Sequence, residues 1–352
     1  MKNLTKIKIF LFFNFLILIY EKNRKKYKKV GVIGLRHEAN VGNNLIKYAI
    51  SIKLKELDFI PYIIGTHLQN FNITFLKENT NCIIIKENFT EIKRNDYDIL
   101  MVNSDQTWRR FDEHFYDYGF LKFAENWNIT KFVYAASIGY DYWQLTQKDE
   151  NVVKLLLKNF TGISIREKGS IGLIEKHLGI KPLLVLDPTL LIDKKYLHLK
   201  LIKNYKSNIN IKENFIFSYL LELENNTINF IQKACDQLKY KNYQVEMEEK
   251  NSIKKFIYGI SHSKAVITNS YHGTVFSIIF NKPFISFIFK NSPKERLYTL
   301  KQIFNLENRI IEYYEQPDVN LLNTPLNFNE TLMELMKVES INYLKKNLGI
   351  IS

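Results

Sequence analysis

The stretch Lys264–Phe289, KAVITNSYHGTVFSIIFNKPFISFIF, decides how the rest of the chain is read. Ala265, Val266, Ile267 and Thr268 form a β-prone apolar run, and Asn269 to Gly273 break it with turn-forming, hydrogen-bonding residues. Thr274 to Phe280 is long enough for about two helical turns. Asn281, Lys282 and Pro283 stop them, and Phe284 to Phe289 resumes a buried strand. Strand, helix and strand joined this closely make a βαβ unit. Its first turn then lies at the carboxyl end of a parallel strand, where open α/β sheets bind their ligands.

The same alternation runs back towards the N-terminus. Val30–Leu35 (VGVIGL) reads as a buried strand, Arg36–Asn44 (RHEANVGNN) as a polar loop turning at Gly42, and Leu45–Leu57 as a helix before the strand Pro61–Ile64. No G-x-G-x-x-G is present, so a dinucleotide fingerprint is not supported. Gly42, Asn43 and Asn44 read either as a plain turn and cap or as a helix N-terminus that a phosphate or sugar can approach. Tyr97–Asn103 is another buried strand, followed by Ser104-Asp105-Gln106-Thr107-Trp108. A carboxylate and an amide at a strand end suit sugar hydroxyls, which need acceptors and donors together. The plainer reading makes Ser104 or Asp105 a helix cap and Trp108 core.

Lys131–Ser137 is the next strand and runs into the small residues Ser137-Ile138-Gly139, and Arg166 stands where a short strand hands over to a helix. Arg166 reads as a surface ion pair or as a guanidinium fork for a phosphate or carboxylate. Leu183–Leu186 is closed by Asp187-Pro188-Thr189, where Pro188 pushes Asp187 out of helical geometry. The polar, Asn/Lys-rich run Lys194–Lys212 reads as a linker. Phe215–Leu220 opens a new sheet, with helices expected at Thr227–Leu238, Ser252–Ser261, Arg296–Phe304 and, closing the chain, Thr331–Leu348. The organisation expected is an extension over residues 1–29, a first α/β domain over 30–195, and a second over 196–352 that includes the closing helix.

A chain of 352 residues, 46% hydrophobic, can bury two medium cores. Its net charge of +14 is concentrated at one end: residues 1–30 hold nine Lys or Arg and one Glu, or +8, leaving +6 for all the rest. The body therefore offers no case for nucleic acid, and no RNP-like, helix-turn-helix or zinc-finger spacing supports one. Two cysteines far apart, Cys82 and Cys235, fit a reducing compartment. Ile9–Tyr20 (IFLFFNFLILIY), flanked by lysines and arginines, is short of the roughly 20 residues a bilayer crossing needs, and no small-residue cleavage site follows it. It reads as a helix packed on the body, or as one lying on an anionic membrane surface. The expected location is cytoplasmic, with peripheral attachment to the inner membrane face under the second reading.

The ordered set of motifs resembles the polysaccharide pyruvyl transferases. The matching residues are Asn-x-Gly-Asn at Asn40 to Asn43, Ser104-Asp105-Gln106 with Trp108, and Ala136-x-x-Gly139. They continue with Ser164-x-Arg166-Glu167-x-x-Ser170, Asp187-Pro188-Thr189-Leu190-Leu191 and Thr268-Asn269-Ser270-Tyr271-His272-Gly273. The likeness runs from about Val30 to Arg309 and leaves the N-terminal extension outside. It implies two Rossmann-like α/β domains facing a cleft, similar to the GT-B architecture, with a C-terminal helix. It also implies transfer of pyruvate from phosphoenolpyruvate, as donor substrate, to two hydroxyls of a sugar or lipid-linked saccharide as a ketal. That chemistry calls for acid and base groups, with no metal and no cofactor.

On this reading His272, placed just before the helix at Thr274, meets the donor phosphate, aided by free amides and the helix dipole. Arg166 is the second cation and Asp105 a candidate base for an acceptor hydroxyl. Asn43, Gln106, Asp187, Asn269, Ser270, Gly273 and Thr274 complete the expected binding set. A GT-B glycosyltransferase using a nucleotide sugar, and a non-catalytic sugar-binding protein of the same fold, are the competing readings.

Overall fold

The computed structural model describes residues 27–35, 41–65, 70–80, 82–85, 89–203, 205, 213–245, 252–290 and 292–351. Residues 1–26 of the apolar and basic extension, and Asn40 of the first motif, lie outside them. No helix among the described residues is long and apolar enough to cross a membrane.

The first unit alternates β1 (Lys29–Ile33), α1 (Val41–Glu56), β2 (Ile60–Ile64), α2 (Asn70–Thr80), β3 (Ile83–Ile85), β4 (Ile99–Val102) and α3 (Phe115–Phe120). It continues with β5 (Thr130–Ala136), α4 (Gln147–Leu157), β6 (Gly162–Ile165), α5 (Ser170–Leu178) and β7 (Leu183–Leu184). All seven strands are parallel, in the order β3-β2-β1-β4-β5-β6-β7. The stretch expected as a linker starts instead as α6 (Lys194–Leu197), which Asp193 caps by accepting from Lys195 N, and runs into a π-helical turn at His198–Ile202. The second unit follows as β8 (Phe215–Tyr219), α7 (Asn225–Leu238), β9 (Lys241–Gln244), α8 (Ser252–His262), β10 (Ala265–Thr268), α9 (Tyr271–Ile279), β11 (Phe284–Ile288), α10 (Glu295–Phe304) and β12 (Ile310–Glu312). Helix α11 (Glu330–Asn347) closes the chain. The second sheet is also parallel, in the order β12-β11-β10-β8-β9.

Strands β4, β8, β10 and β11 are buried along their whole length. Helices cover both faces of such a sheet, which is why these strands read as unbroken apolar runs instead of alternating ones. In each sheet the strand order reverses once, between β1 and β4 in the first and between β8 and β10 in the second. Those reversals are where open α/β sheets form a crevice at their carboxyl ends. One apolar cluster runs through both units, from Val30 and Tyr48 to Phe217, Phe276 and Leu344.

The closing helix, counted with the second domain from sequence, packs on the first sheet. Tyr343 Oη donates to Val133 O (2.7 Å), Leu186 N donates to Ser340 Oγ (2.9 Å), and Thr161 Oγ1 donates to Asn347 Oδ1 (2.9 Å).

Candidate active site

The second sheet contributes the turn after β10. Ser270 is extended (φ −98°, ψ 135°) and its Oγ accepts from Gly273 N, so α9 starts at Tyr271, a turn earlier than the sequence suggests. His272 therefore sits in the first turn of the helix, where backbone amides lack intrahelical partners. Gly273 is required by close approach: a Cβ there would fall well under 3.0 Å from Thr268 Oγ1. Thr274 Oγ1 lies 3.0 Å from Ser270 O and 2.7 Å from Ser286 Oγ, holding α9 against β11. Asn269 spends its amide on the loop after β8, accepting from Leu221 N and donating to Glu222 O, both at 2.7 Å. Thr274 and Asn269, expected to bind substrate, thus shape the turn, and Asn269 also lines the cavity between the sheets. Asn269 shapes it by tying the two strands of the switch point together.

The first sheet contributes a buried charge cluster. Asp105 follows β4 at φ 87°, a left-handed conformation in which its backbone bridges to Ala136 at the end of β5. Arg166, only 3% exposed, donates from Nη2 to Asp105 Oδ1 (2.8 Å) and from Nη1 to Asp187 Oδ2. Its fork is therefore spent on two carboxylates, which corrects both sequence readings: it is neither a surface ion pair nor an open anion clamp. Asn43 Nδ2, in the first turn of α1, donates to Asp105 Oδ2 (3.1 Å). Asp187 caps the turn after β7, with Oδ1 accepting from Thr189 N (2.9 Å) and Thr189 Oγ1 (2.6 Å). Glu167 orders the loop after β5 by accepting from Ile138 N (3.1 Å), Gly139 N (3.3 Å) and the hydroxyls of Ser137 and Ser170. Trp108 fills the core and donates to Gly119 O (3.0 Å), as the plainer reading had it.

The two halves meet at His272. Gly42 of α1 faces the imidazole so closely that a Cβ would lie well under 3.0 Å from Nδ1, Cγ and Cε1. His272 Nε2 has no hydrogen-bond partner and stands 3.9 Å from Asp187 Oδ2. Burial pulls the imidazole down to about 4, against the upward pull of Asp187, so it is neutral at neutral pH. Burial alone would raise Asp105, but Arg166, Arg296 and His272 outweigh it and hold the carboxyl at about 2. Burial likewise opposes the charge on Arg166, yet Asp187 and Asp105 fix it as a cation. A second arginine, Arg296 at the start of α10, lies 3.6 Å from Asp105 Oδ1, and its charge is weakened by burial and by Arg166. Both guanidinium groups rest on the ring of Tyr271, at 4.7 and 5.3 Å.

Between the sheets lies a cavity of about 190 Å³, lined by Asp105, Gln106 and Arg109 from the first and by Ser270, His272 and Arg296, among others, from the second. Gln106 Oε1 accepts from Arg109 Nη1 (3.0 Å). Sequence reasoning missed three cations: Arg109, Arg296 and Lys47. Arg109 and Arg296 follow strand ends in the same way as the expected residues, so position alone could have found them. Lys47 is four residues after Asn43, hence on the same face of α1. It is buried, and that burial lowers its ammonium to about 7 despite the attraction of Asp105.

Two parallel α/β sheets closing on a buried Arg–Asp–His cluster at their switch points place the chain in the GT-B-like class. Among solved structures of that fold it is similar to a Staphylococcus aureus MnaA–UDP complex (TM-score 0.52, 13% identity, 92% of this chain and 98% of that one). It is similar also to UDP-GlcNAc 2-epimerase from Neisseria meningitidis bound to UDP-GlcNAc (0.51, 12%, 89% and 93%). A third is Arabidopsis thaliana UGT89C1 complexed with UDP-L-rhamnose (0.54, 10%, 91% and 98%). At such identities the likeness concerns the fold alone. No curated protein matches the sequence significantly. The profile of the polysaccharide pyruvyl transferases matches residues 40–291, and the chain belongs to that family.

Proposed function

We propose that the protein transfers the pyruvyl group of phosphoenolpyruvate to two hydroxyls of a sugar in a polysaccharide or its lipid-linked precursor, forming a cyclic ketal. The observation that carries this reading is His272, which lines a cavity whose other charged walls are Arg109, Arg296 and Asp105 and whose Nε2 has no hydrogen-bond partner among the described residues. A small trianionic donor needs cations, and two arginines with helix-terminal amides supply them. At about 190 Å³ the cavity is below the 300–1,000 Å³ of ordinary ligand pockets. That favours a three-carbon phosphoester over a nucleotide sugar.

In the proposed reaction the donor's methylene carbon takes a proton and becomes a methyl group, leaving the adjacent carbon cationic. One acceptor hydroxyl attacks it, and the oxonium so formed gives its proton to His272, making good the one added to the methylene carbon. The C–O bond to phosphate then breaks, and the second hydroxyl closes the ketal while its proton leaves with the phosphate. His272, neutral in the empty site, acquires a partner when the phosphate arrives; the added negative charge raises its affinity for a proton. It then holds the departing phosphate or passes the proton on. Asp105, whose arginine neighbours outweigh its burial and hold its carboxyl low, stays an anion at neutral pH. Its role is that of a fixed anion that orients Arg166 and Arg296 and stabilises the cationic carbon.

The test is acceptor-dependent phosphate release from phosphoenolpyruvate by His272→Ala. Loss of a positioned acid–base group should lower the rate by about 10²–10⁴-fold, and activity near wild type would remove the assignment. A thermal-shift comparison separates the nucleotide-sugar alternative: stabilisation by UDP and not by phosphoenolpyruvate would favour it.

A further inference from the structure

Beside the cavity, on the first domain only, four side chains form a continuous row. The guanidinium of Arg109, a cavity wall, lies 4.5 Å from the ring centroid of Phe111 and 4.6 Å from that of Tyr140, and Tyr140 packs on Tyr142 at 5.1 Å. The row is held from behind. Gln106 pins Arg109, and Glu167 binds the amides of Ile138 and Gly139 just before Tyr140. Its outer members are nonetheless open, Phe111 at 41% and Tyr142 at 54% exposure. Neither ring contributes to the cores of the two sheets.

We infer that this row is a saccharide subsite, which seats acceptor sugars beyond the one that receives the ketal. The inference rests on the pyruvyl-transfer reading. A cavity of about 190 Å³ holds the donor and leaves a polymeric acceptor to extend outwards. Arg109 belongs both to the cavity wall and to the row, so the row starts where the cavity lining ends. Sugar rings suit it: their C–H faces pack on aromatic rings, and their hydroxyls take hydrogen bonds from the guanidinium at the rim. Phe111 and Tyr142 flank the strip at either end, so the subsite selects for chain length more than for a particular hydroxyl pattern.

The probe is a glycan microarray carrying single sugars and oligosaccharides of the same linkages, read with the full chain and with Tyr142→Ala and Phe111→Ala. Both positions are exposed, so the variants should keep the wild-type melting temperature. Binding should rise with chain length, and each variant should bind the longer glycans roughly five- to ten-fold more weakly. Equal binding of single sugars and oligosaccharides, no loss in either variant, or no glycan bound at all would each overturn the subsite. Phosphoenolpyruvate thermal shifts on the same samples separate the two ideas. Length-dependent glycan binding without donor stabilisation sinks the donor and keeps the strip, whereas donor stabilisation without glycan binding sinks only the strip.

Discussion

Arg166 sets the charge balance of the site, because it neutralises two buried carboxylates that would otherwise raise each other's pKa. That a cation at this strand end matters was legible in the sequence; that its fork is consumed internally was not. The partners lie 61 and 21 residues away, and only the fold decides that they converge. Lys47 was illegible for a related reason: a lysine on a helix reads as solvated until the helix is known to be buried on every side. Its titration is measurable. The unfolded chain keeps a lysine near the ordinary 10.5, whereas the folded one holds it at about 7. Between those values the unfolded state binds more protons, so this lysine's contribution to stability is fully present above about 10.5 and is lost as pH falls towards 7. Lys47→Met should therefore be more stable relative to wild type at pH 7 than at pH 10. Urea midpoints of wild type and variant across that range check this, and a difference between the two proteins that does not change from pH 7 to pH 10 would contradict it.

At the level of elements, the helices that open the two halves of the site, α1 and α9, each begin earlier than their sequences suggest. Gly42 and Gly273 look like turn residues, and both lie inside a first helical turn. Their lack of a side chain serves close approach instead of backbone freedom, a distinction that one sequence does not make. Gly42→Ala tests it, because the local and the global effects have opposite signs. Within a helix, alanine is better than glycine by about 1 kcal/mol. The new Cβ, however, would meet Nδ1 of the His272 ring and the two atoms flanking it, Cγ and Cε1, which cannot yield without moving the ring or the domain. The variant should melt at a lower temperature, because an overpacking cost of about 1–3 kcal/mol outweighs the helix gain, and should lose about 10²-fold or more in turnover, the usual cost of misplacing a reacting group by an ångström. Gly169→Ala is the control. Its Cβ meets only the carboxylate end of Glu295, a side chain free to swing away, and activity should fall far less.

For the whole molecule, two α/β units were legible because buried parallel strands and covering helices alternate so regularly. The return of α11 to the first sheet was not. An amphipathic stripe through Met336, Tyr343 and Leu344 says that the helix buries a face, and nothing about which sheet receives it. The consequence is that the second domain is anchored to the first at both ends, through the α6 crossing and through α11. Asn347 and Gly162 measure the second of these attachments. Asn347 bonds Thr161 Oγ1 (2.9 Å) and Tyr343 O (3.0 Å), and Gly162 leaves just enough room for its side-chain amide. Gly162→Ala should push the amide off both partners and cost about 1–2 kcal/mol. Asn347→Ala should cost a similar amount by removing them outright. If the helix is seated on the first sheet as described, the double variant should be no less stable than Asn347→Ala alone, because the methyl group then fills vacated space. Urea unfolding of the four proteins gives the coupling energy directly. Simple additivity of the two losses would mean that α11 does not rest on β6, and the attachment at the C-terminal end would have to be abandoned.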